Sequence, residues 1–477
     1  MGRHTVIRLA HLSLLFLSLT SSVHAHKADF LLQDAFLGTD DALIQTKPSR
    51  SVAIIGAGAA GASAAKFLRQ FTDALSLEPA SITLFEASNR IGGRAQAVLI
   101  PDPSNPTKPP VSIEIGASIF ITSNKHLMQS AQDYNLTLSS SLLDTEPPTN
   151  NPALGIYNGS DFVFTSSDSP WRTVFNTFWK WGLLSPYRAR TLALQAASQF
   201  GNAYPLKESF HLGFKSIQQM LTRGFGMESS VLTKTARDYF LEKGIGDAFI
   251  REFIEPATRV NYGQGVELNA VGALICLAAA FTPTESIVGG NSLLYESMIR
   301  ESGTLVKFET RTATQINFTT LAQTPAKFSY VHLHVTIVTG SLDHAYFNLP
   351  NPSAIPSAIL TTASAGSAFN SIGTRHRFND EQNTTVTKIF SSAKPTDAFL
   401  SQMYFRVVRV DRFEWDAYPV LNTWIEGEDG PSIVLDESAT GGVYWVNGFE
   451  AAFSAMESET VASANVVQLL LEKWKSN

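Results

Sequence analysis

The sequence predicts an α/β fold in which a Rossmann-type dinucleotide-binding domain is interleaved with a mixed helical and β-sheet domain. Three observations predict it. An apolar strand, Ser51 to Ile55, runs directly into Gly56-Ala57-Gly58-Ala59-Ala60-Gly61 and an alanine-rich helix. A second apolar run, Ser81 to Phe85, ends in an acid, Glu86, and is followed by Gly92-Gly93-Arg94. Near the other end, Val446-Asn447-Gly448 precedes a helical stretch from Glu450 to Trp474, so the same domain draws on both ends of the chain.

Taken in order, residues 1–25 read as a secretory signal. Arg3 and Arg8 form a basic start, Leu9 to Thr20 a short apolar core, and Val23-His24-Ala25 a cleavage site, with the cut after Ala25. That run falls short of the roughly 20 apolar residues a membrane span needs, as does the apolar stretch Val271 to Phe281. Residues 26–49 form a tail ending at Lys47-Pro48. Residues 50–120 carry the first part of the dinucleotide-binding domain, with a third strand near Val111 to Ile115 beyond the proline-rich loop Pro101 to Pro110. Residues 121–265 are expected to be a largely helical substrate or cap region. Its aromatic stripe, Phe175, Phe178, Trp179 and Trp181, reads first as helical core and alternatively as lining of an apolar cavity. Residues 266–320 return to the first domain. Residues 321–440 form a β-rich substrate domain, announced by alternation from Phe328 to Val338, and residues 441–477 close the dinucleotide-binding part.

Composition narrows the function. The net charge of −6 argues against nucleic acid, which requires a basic footprint. Only 16% of residues are charged while 31 are phenylalanine, which suits an apolar, aromatic binding surface. Four N-x-S/T sequons, at Asn135, Asn158, Asn317 and Asn383, agree with a secretory address and mark candidate glycosylation sites. The single cysteine, Cys276, excludes an intrachain disulfide, and its apolar surroundings predict a buried, inert thiol. His332 and His334 share a strand face, with His344 nearby, but a metal site needs more ligands than this, and none is expected.

The glycines have separate tasks. Gly56 permits the tight turn, Gly58 lets backbone approach a pyrophosphate, and Gly61 lets helix and strand pack closely. Ala59 and Ala60 open the helix, whose N-terminal N–H groups and dipole favour phosphate. Glu86 is placed to accept both hydroxyls of an adenosine ribose, and no arginine stands in its place for a 2′-phosphate. Gly92 and Gly93 let the chain pass against a ligand, and Arg94 adds a cation near the pyrophosphate. An acid followed by Gly-Gly-Arg resembles the pattern of amine-oxidase-like flavoproteins, with two dinucleotide-binding segments, in which FAD fills the site. On that resemblance Gly116, Ala117 and Ser118 form a small-residue loop beside the isoalloxazine, and Asn447-Gly448 opens a second helix toward the cofactor.

A more specific resemblance follows from order. The blocks IIGAGAAGASAAKFLRQF, LFEASNRIGGR, IEIGAS, LGIYNG, RVNYGQ, NAVGAL, VGGN, FNSIG and VNGFEAAFSAMES occur in the sequence expected for the prenylcysteine oxidase family, from about Ser51 to Leu470. That resemblance implies an FAD-dependent thioether oxidase acting in a lysosome-like or vacuolar compartment, or outside the cell. Prenylated cysteine and molecular oxygen would be its partners, and prenyl aldehyde, cysteine and hydrogen peroxide its products. It implies no transmembrane span, with peripheral membrane contact open. Arg259, Asn261, Tyr262 and Gln264 of RVNYGQ become candidates to hold the amino-acid head or face the flavin, the alternative being a structural corner. Glu450 and Glu457 are explained equally by function and by a solvated helix face. One departure stands out: Ile337 to Leu342 lacks the family's Ala-Thr-Pro, and a few tens of residues are expected to be missing near Pro356 to Ile359. That keeps open a secreted non-catalytic flavoprotein of the same fold; a further alternative is an amine oxidase acting on an apolar amine, over which the RVNYGQ block favours the thioether enzyme.

Overall fold

The computed structural model describes residues 50–476 except 141–150, 168, 205–212, 311–320, 367 and 438–440. The signal segment, the tail and the Asn317 sequon therefore lie outside the described residues. Strand β1 (Ser51–Ile55), helix α1 (Ala59–Ala74) and strand β2 (Ser81–Phe85) form the expected unit, with β1 and β2 parallel from Ser51↔Ser81 to Ile55↔Phe85. Strand–helix–strand order with a short glycine loop leaves a parallel right-handed crossover as the favoured connection. A hairpin of β3 (Ala97–Ile100) and β4 (Val111–Glu114) brackets the proline-rich loop. Then come β5 (Phe120–Ile121), α2 (Lys125–Asp133) and β6 (Leu138–Ser139). Both β5 and β6 pair with a later strand, as given below.

The middle of the chain is less uniformly helical than expected. Strands β7 (Leu154–Tyr157) and β8 (Phe162–Thr165) precede α3 (Pro170–Trp181) and α4 (Leu184–Phe200). Further helices follow, among them Glu255–Tyr262 and the apolar Ala270–Phe281, in which Cys276 is buried and burial pushes its thiol well up. Strand β9 (Thr284–Ile287) joins β5 and β6, and β10 (Leu305–Lys307) adds to β2, so the Rossmann sheet runs β1-β2-β10. Strand β10 thus joins the Rossmann sheet from the middle of the chain, whereas Ala270–Phe281 packs in the core of the helical region.

The second sheet has seven strands, in the order β15-β11-β14-β13-β12-β7-β8. Its later members are β11 (Tyr330–Leu342), β12 (Ala358–Thr361), β13 (Ser371–Arg377), β14 (Thr385–Ser391) and β15 (Tyr404–Pro419). The stretch that departs from Ala-Thr-Pro is the end of β11. Gly340 sits there at a register shift, where a Cβ would fall 2.2 Å from the Arg406 carbonyl oxygen. At the junction expected to be short, β12 pairs with β13 on one side and, in parallel, with β7 on the other. The sheet is continuous there.

The last helix is Met456–Ser476, not a helix from Glu450; residues Val446–Ala451 form a separate 3₁₀ turn. Val467, Leu470, Leu471 and Trp474 of this helix pack on Ala65, Leu68 and Phe71 of α1. Helix Ser292–Glu301 covers the neighbouring side through Leu294, Tyr295 and Met298 against Ala62 and Leu84. Apolar faces separated by about 400 residues in sequence therefore close one core. The aromatic stripe of α3 departs from the core expectation at all but one position, while Phe175 and Trp179 wall a groove against β8. Trp181 packs inward on Phe164, Phe249 and Phe253, whereas Phe175, Phe178 and Trp179 are exposed.

Candidate functional site

Gly56 takes φ +92° and has open space where a Cβ would stand, while a Cβ on Gly61 would lie 1.9 Å from the Gly56 carbonyl oxygen. The first glycine therefore makes the turn and leaves room above it, and the third seats α1 on β1. Gly93, at φ +58°, would place a Cβ 3.1 Å from the Gly58 Cα, so the two loops run backbone to backbone. Gly92 N–H donates to Ala57 O at 2.9 Å and ties them together.

Glu86 stands where β2 ends, and the loop pins it. One carboxylate oxygen accepts Ala57 N–H at 2.7 Å; the other accepts Ser88 N–H at 2.8 Å and Ser88 Oγ–H at 2.7 Å. A carboxylate offers about four acceptor positions, so three are filled and one remains. Ser88 Oγ has an alternative acceptor, Arg90 O at 3.0 Å, and its turning there frees the second position. Glu86 thus fits a ribose diol once that one hydroxyl rotates.

Arg94 does not stand alone beside the glycines. Its guanidinium pairs with Glu450 and also donates to Ala417 O at 2.7 Å and Ser454 Oγ at 3.4 Å. Burial opposes its charge, but Glu450 and then Glu459 hold its pKa above the ordinary arginine value. The side chain is 35% exposed, whereas that of Glu450 is fully buried. Asn447 bridges the two acids, donating to Glu450 Oε1 at 2.8 Å and Glu459 Oε2 at 3.0 Å. Its side chain is therefore committed to carboxylates, and Gly448 lies buried in the 3₁₀ turn. The helix N-terminus expected after them begins eight residues on, at Met456, where Ser463 Oγ–H donates to Ala60 O at 2.8 Å and Ser63 Oγ–H to Thr460 Oγ1 at 3.0 Å. The second turn of the C-terminal helix thus lies against the first turn of α1. Glu450 and Glu457 are buried, which overturns the solvated-face reading.

The Gly116 loop closes the far side. A Cβ on Gly116 would strike Arg94 O at 1.9 Å and the Trp415 ring at 2.9 Å. Ala117 N–H donates to Arg94 O, and Ala117 O accepts from Asn291 Nδ2 at 2.8 Å. Ser118 Oγ accepts from Lys388 Nζ at 2.6 Å, and Lys388 also donates to Glu114 O at 2.9 Å. Burial, and then the Arg375 charge, pushes the Lys388 pKa well below its ordinary range; burial raises that of the Glu114 carboxyl. Lys388, Glu459, Asn291 and Trp415 were not singled out in the sequence. A lysine alone inside the strand TVTKIFS was the one available signal, because such a run has no solvated face to spare. Glu114 Oε2, Glu450 Oε2 and Glu459 Oε1 are buried without a hydrogen-bond partner among the described residues. Such orphaned acceptors carry a cost unless a proton, water or ligand donor meets them.

RVNYGQ lies at the joint between the two domains. Arg259 donates to Thr361 O at 3.1 Å and Asn370 Oδ1 at 3.2 Å, and Asn261 to Ala257 O within its own helix. Tyr262 is fully buried and donates to Ser454 O at 3.0 Å, one residue being shared with Arg94. Gln264 clasps the end of β15, donating to Pro419 O and accepting from Leu421 N–H. Elsewhere, His332, His334 and Glu414 bring three ligand-type atoms within 4.8 Å on the exposed β11–β15 face, with His332 also 3.1 Å from Asp416. Of the sequons, Asn135 and Asn383 are exposed and Asn158 is half-buried.

A prenylcysteine lyase family model matches residues 164–321 and 309–477, well over half of the chain, and an NAD(P)-binding Rossmann-like domain model matches residues 54–134. The chain belongs to the prenylcysteine lyase family. Among curated relatives, farnesylcysteine lyase of Arabidopsis thaliana is 26% identical, with 89% of this chain and 88% of that protein covered. Prenylcysteine oxidase 1 of Homo sapiens is also 26% identical, with 90% of each covered. A solved structure of putrescine oxidase bound to putrescine aligns over 90% of this chain and 98% of that one at 12% identity and a TM-score of 0.49. For this prenylcysteine lyase relative, the family match begins within β8 and so takes in five of the seven strands of the larger sheet whole, as well as Arg94's partner, Glu450.

Proposed function

We propose that this chain is an FAD-dependent oxidase that cleaves the thioether of prenyl-L-cysteine, farnesyl or geranylgeranyl, with oxygen and water, yielding a prenyl aldehyde, cysteine and hydrogen peroxide. The observation that carries it is the prenylcysteine lyase match across the substrate-binding half, joined to a dinucleotide crevice in the other half. The crevice fits FAD on its own geometry: an open turn at Gly56, abutting glycine backbones, and a pinned acid with acceptor capacity to spare. FAD bound there would supply the hydride acceptor and pass electrons to oxygen, the step protein side chains cannot perform.

The chain's own groups orient and desolvate. Glu86 would hold the ribose, and the Gly116–Ser118 loop, with Trp415 behind it and Lys388 fixing Ser118, would border the ring system. Burial works against the charge of Lys388, which is held between Ser118 Oγ and Glu114 O, while Arg94 is paired with Glu450. Beneath α3, ring-to-ring contacts run from Phe164 through Trp181 and Phe253 to Phe281, an aromatic surface suited to an isoprenoid. Anaerobic addition of farnesylcysteine to the purified flavoprotein should bleach its flavin absorbance, and admission of air should restore it with release of peroxide. A flavin that stays oxidised overturns the oxidase reading; protein that binds no flavin overturns the cofactor reading as well.

The same reading assigns the chain to the secretory pathway, delivered to a lysosome or vacuole or exported. The signal-like N-terminus and the exposed Asn135 and Asn383 support it. Sensitivity of the expressed protein to an endoglycosidase tests it; an unglycosylated cytosolic product would refute it.

A further inference from the structure

Helix α3 is turned inside out relative to an ordinary surface helix. Its start is fixed by Pro170 in the first turn and by Thr173 Oγ1, which accepts Ser167 N–H at 2.8 Å; its end is fixed by Gly182 at φ +73°. Trp181 anchors the inner side, packing on three phenylalanines and donating from Nε1 to Glu252 at 2.9 Å. The helix is therefore held in place while Trp171, Phe175, Phe178 and Trp179 face outward, Trp179 being 78% exposed. Phe175 and Trp179 stack on each other, their centroids 6.0 Å apart. Beyond Gly182, Leu183, Leu184 and Tyr187 extend the patch, each more than half exposed. Isolated exposed apolar residues are ordinary, but a contiguous patch of this kind marks an interaction surface.

Charge indicates the partner. From Trp171 to Phe200 there is no aspartate or glutamate, while Arg172, Lys180, Arg188 and Arg190 supply four cations in a chain whose net charge is −6. Lys180 is engaged with Glu252 at 2.9 Å, whereas Arg172 and Arg190 make no ion pair among the described residues. Tryptophan and phenylalanine on one side of an amphipathic helix, with basic residues flanking them, suit the interface of an anionic bilayer: rings sit at the headgroup level and cations meet lipid phosphates. No helix among the described residues is long and apolar enough to cross a membrane, so attachment would be peripheral.

We propose that the α3 face, with the first turn of α4, docks this protein on an anionic lipid membrane. A groove of about 520 Å³ between β8 and α3, walled by Phe162, Phe164, Phe175 and Trp179, opens on the same face. If the oxidase reading holds, this places a groove with aromatic walls, edged by Thr165, Asn176 and Lys180, where a prenylated substrate would leave the bilayer; the docking itself stands without that reading. The test is vesicle cosedimentation of the flavin-loaded protein, using phosphatidylcholine with and without phosphatidylserine, alongside the W171S/F175S/W179S variant. The variant alters only exposed side chains and should keep its circular dichroism and flavin content. The wild type should sediment with phosphatidylserine-containing vesicles, less at high salt, and the variant at least about tenfold less. Equal partitioning of the two proteins overturns the proposal, as does the absence of vesicle binding. So does a wild-type dimer in analytical ultracentrifugation that the substitutions dissociate, since the face would then be covered by a second copy. Because no turnover is read, failure here leaves the oxidase reading intact, and the reverse also holds.

Discussion

Glu457 offers the sharpest test of how the C-terminal helix is tied to α2. Its Oε1 accepts His126 N–H at 2.9 Å and Tyr204 Oη–H at 2.6 Å, and its Oε2 accepts Leu127 N–H at 3.1 Å. It thus caps α2 from the C-terminal helix. Burial nevertheless dominates those donors and pushes its pKa up to about 7 from an ordinary 4.5. Because the folded state then holds this proton more tightly than the unfolded chain, the contribution to stability is fully present below 4.5 and is lost as pH rises through about 7. A difference of about 2.5 pH units corresponds to about 3 kcal/mol in total, of which about 2.5 kcal/mol falls between about pH 5 and about pH 8. Glu457→Gln stays neutral throughout and lacks that loss. Urea midpoints at the two pH values should show the wild type losing about 2.5 kcal/mol more than the variant. His126, which burial and then Lys66 hold down at about 3, titrates with the opposite sign but is common to both proteins and cancels. Parallel pH profiles would refute the argument. A wild type that gains stability on the variant toward high pH would mean that α2's dipole and Lys66 keep the carboxylate ionised.

Three further perturbations address the crevice. Gly61→Ala puts a methyl 1.9 Å from Gly56 O, so α1 must shift off β1; flavin absorbance should be lost at a cost of about 3 kcal/mol or more, read by thermal unfolding. Glu86→Gln keeps the shape but turns an amide N–H2 toward the donors at Ala57 or Ser88, and FAD titration of the apoprotein should show affinity reduced by about ten- to a hundredfold. Arg94→Ala leaves Glu450 and Glu459 buried with their arginine gone and should destabilise by about 3–5 kcal/mol. Arg94→Ala/Glu450→Gln should recover part of that loss in a double-mutant cycle, and purely additive effects would show that the pair is not coupled.

The local parts of this protein were legible because the physics acting on them is local. A strand feeding Gly56, Gly58 and Gly61, an acid closing the next strand, and a glycine pair six residues later admit few structures, and the backbone adopts them at Ser51–Ile55 and Ser81–Phe85. The buried Cys276 follows from the same kind of reading. Where partners come from distant segments, sequence spacing carried no such information. The charge of Arg94 was plain, but its pairing with Glu450 depends on how the C-terminal segment folds back. Asn447-Gly448 marked the right region, yet its helix starts at Met456, because a 3₁₀ turn satisfies the intervening backbone.

Orientation was decided last. The periodicity of α3 showed that its aromatics share a helix surface, while only the docking of Trp181 onto Phe249 and Phe253 determined that Phe175, Phe178 and Trp179 face solvent. Likewise Lys388 became part of the site only when β14 entered the middle of a seven-stranded sheet and carried its amine to Ser118. By itself the sequence determined a dinucleotide-binding unit and the family resemblance, since both rest on residues close together or in fixed order. Tertiary structure decided which charges meet, which are buried and which aromatic face is left exposed, because those depend on long-range packing that no local spacing encodes.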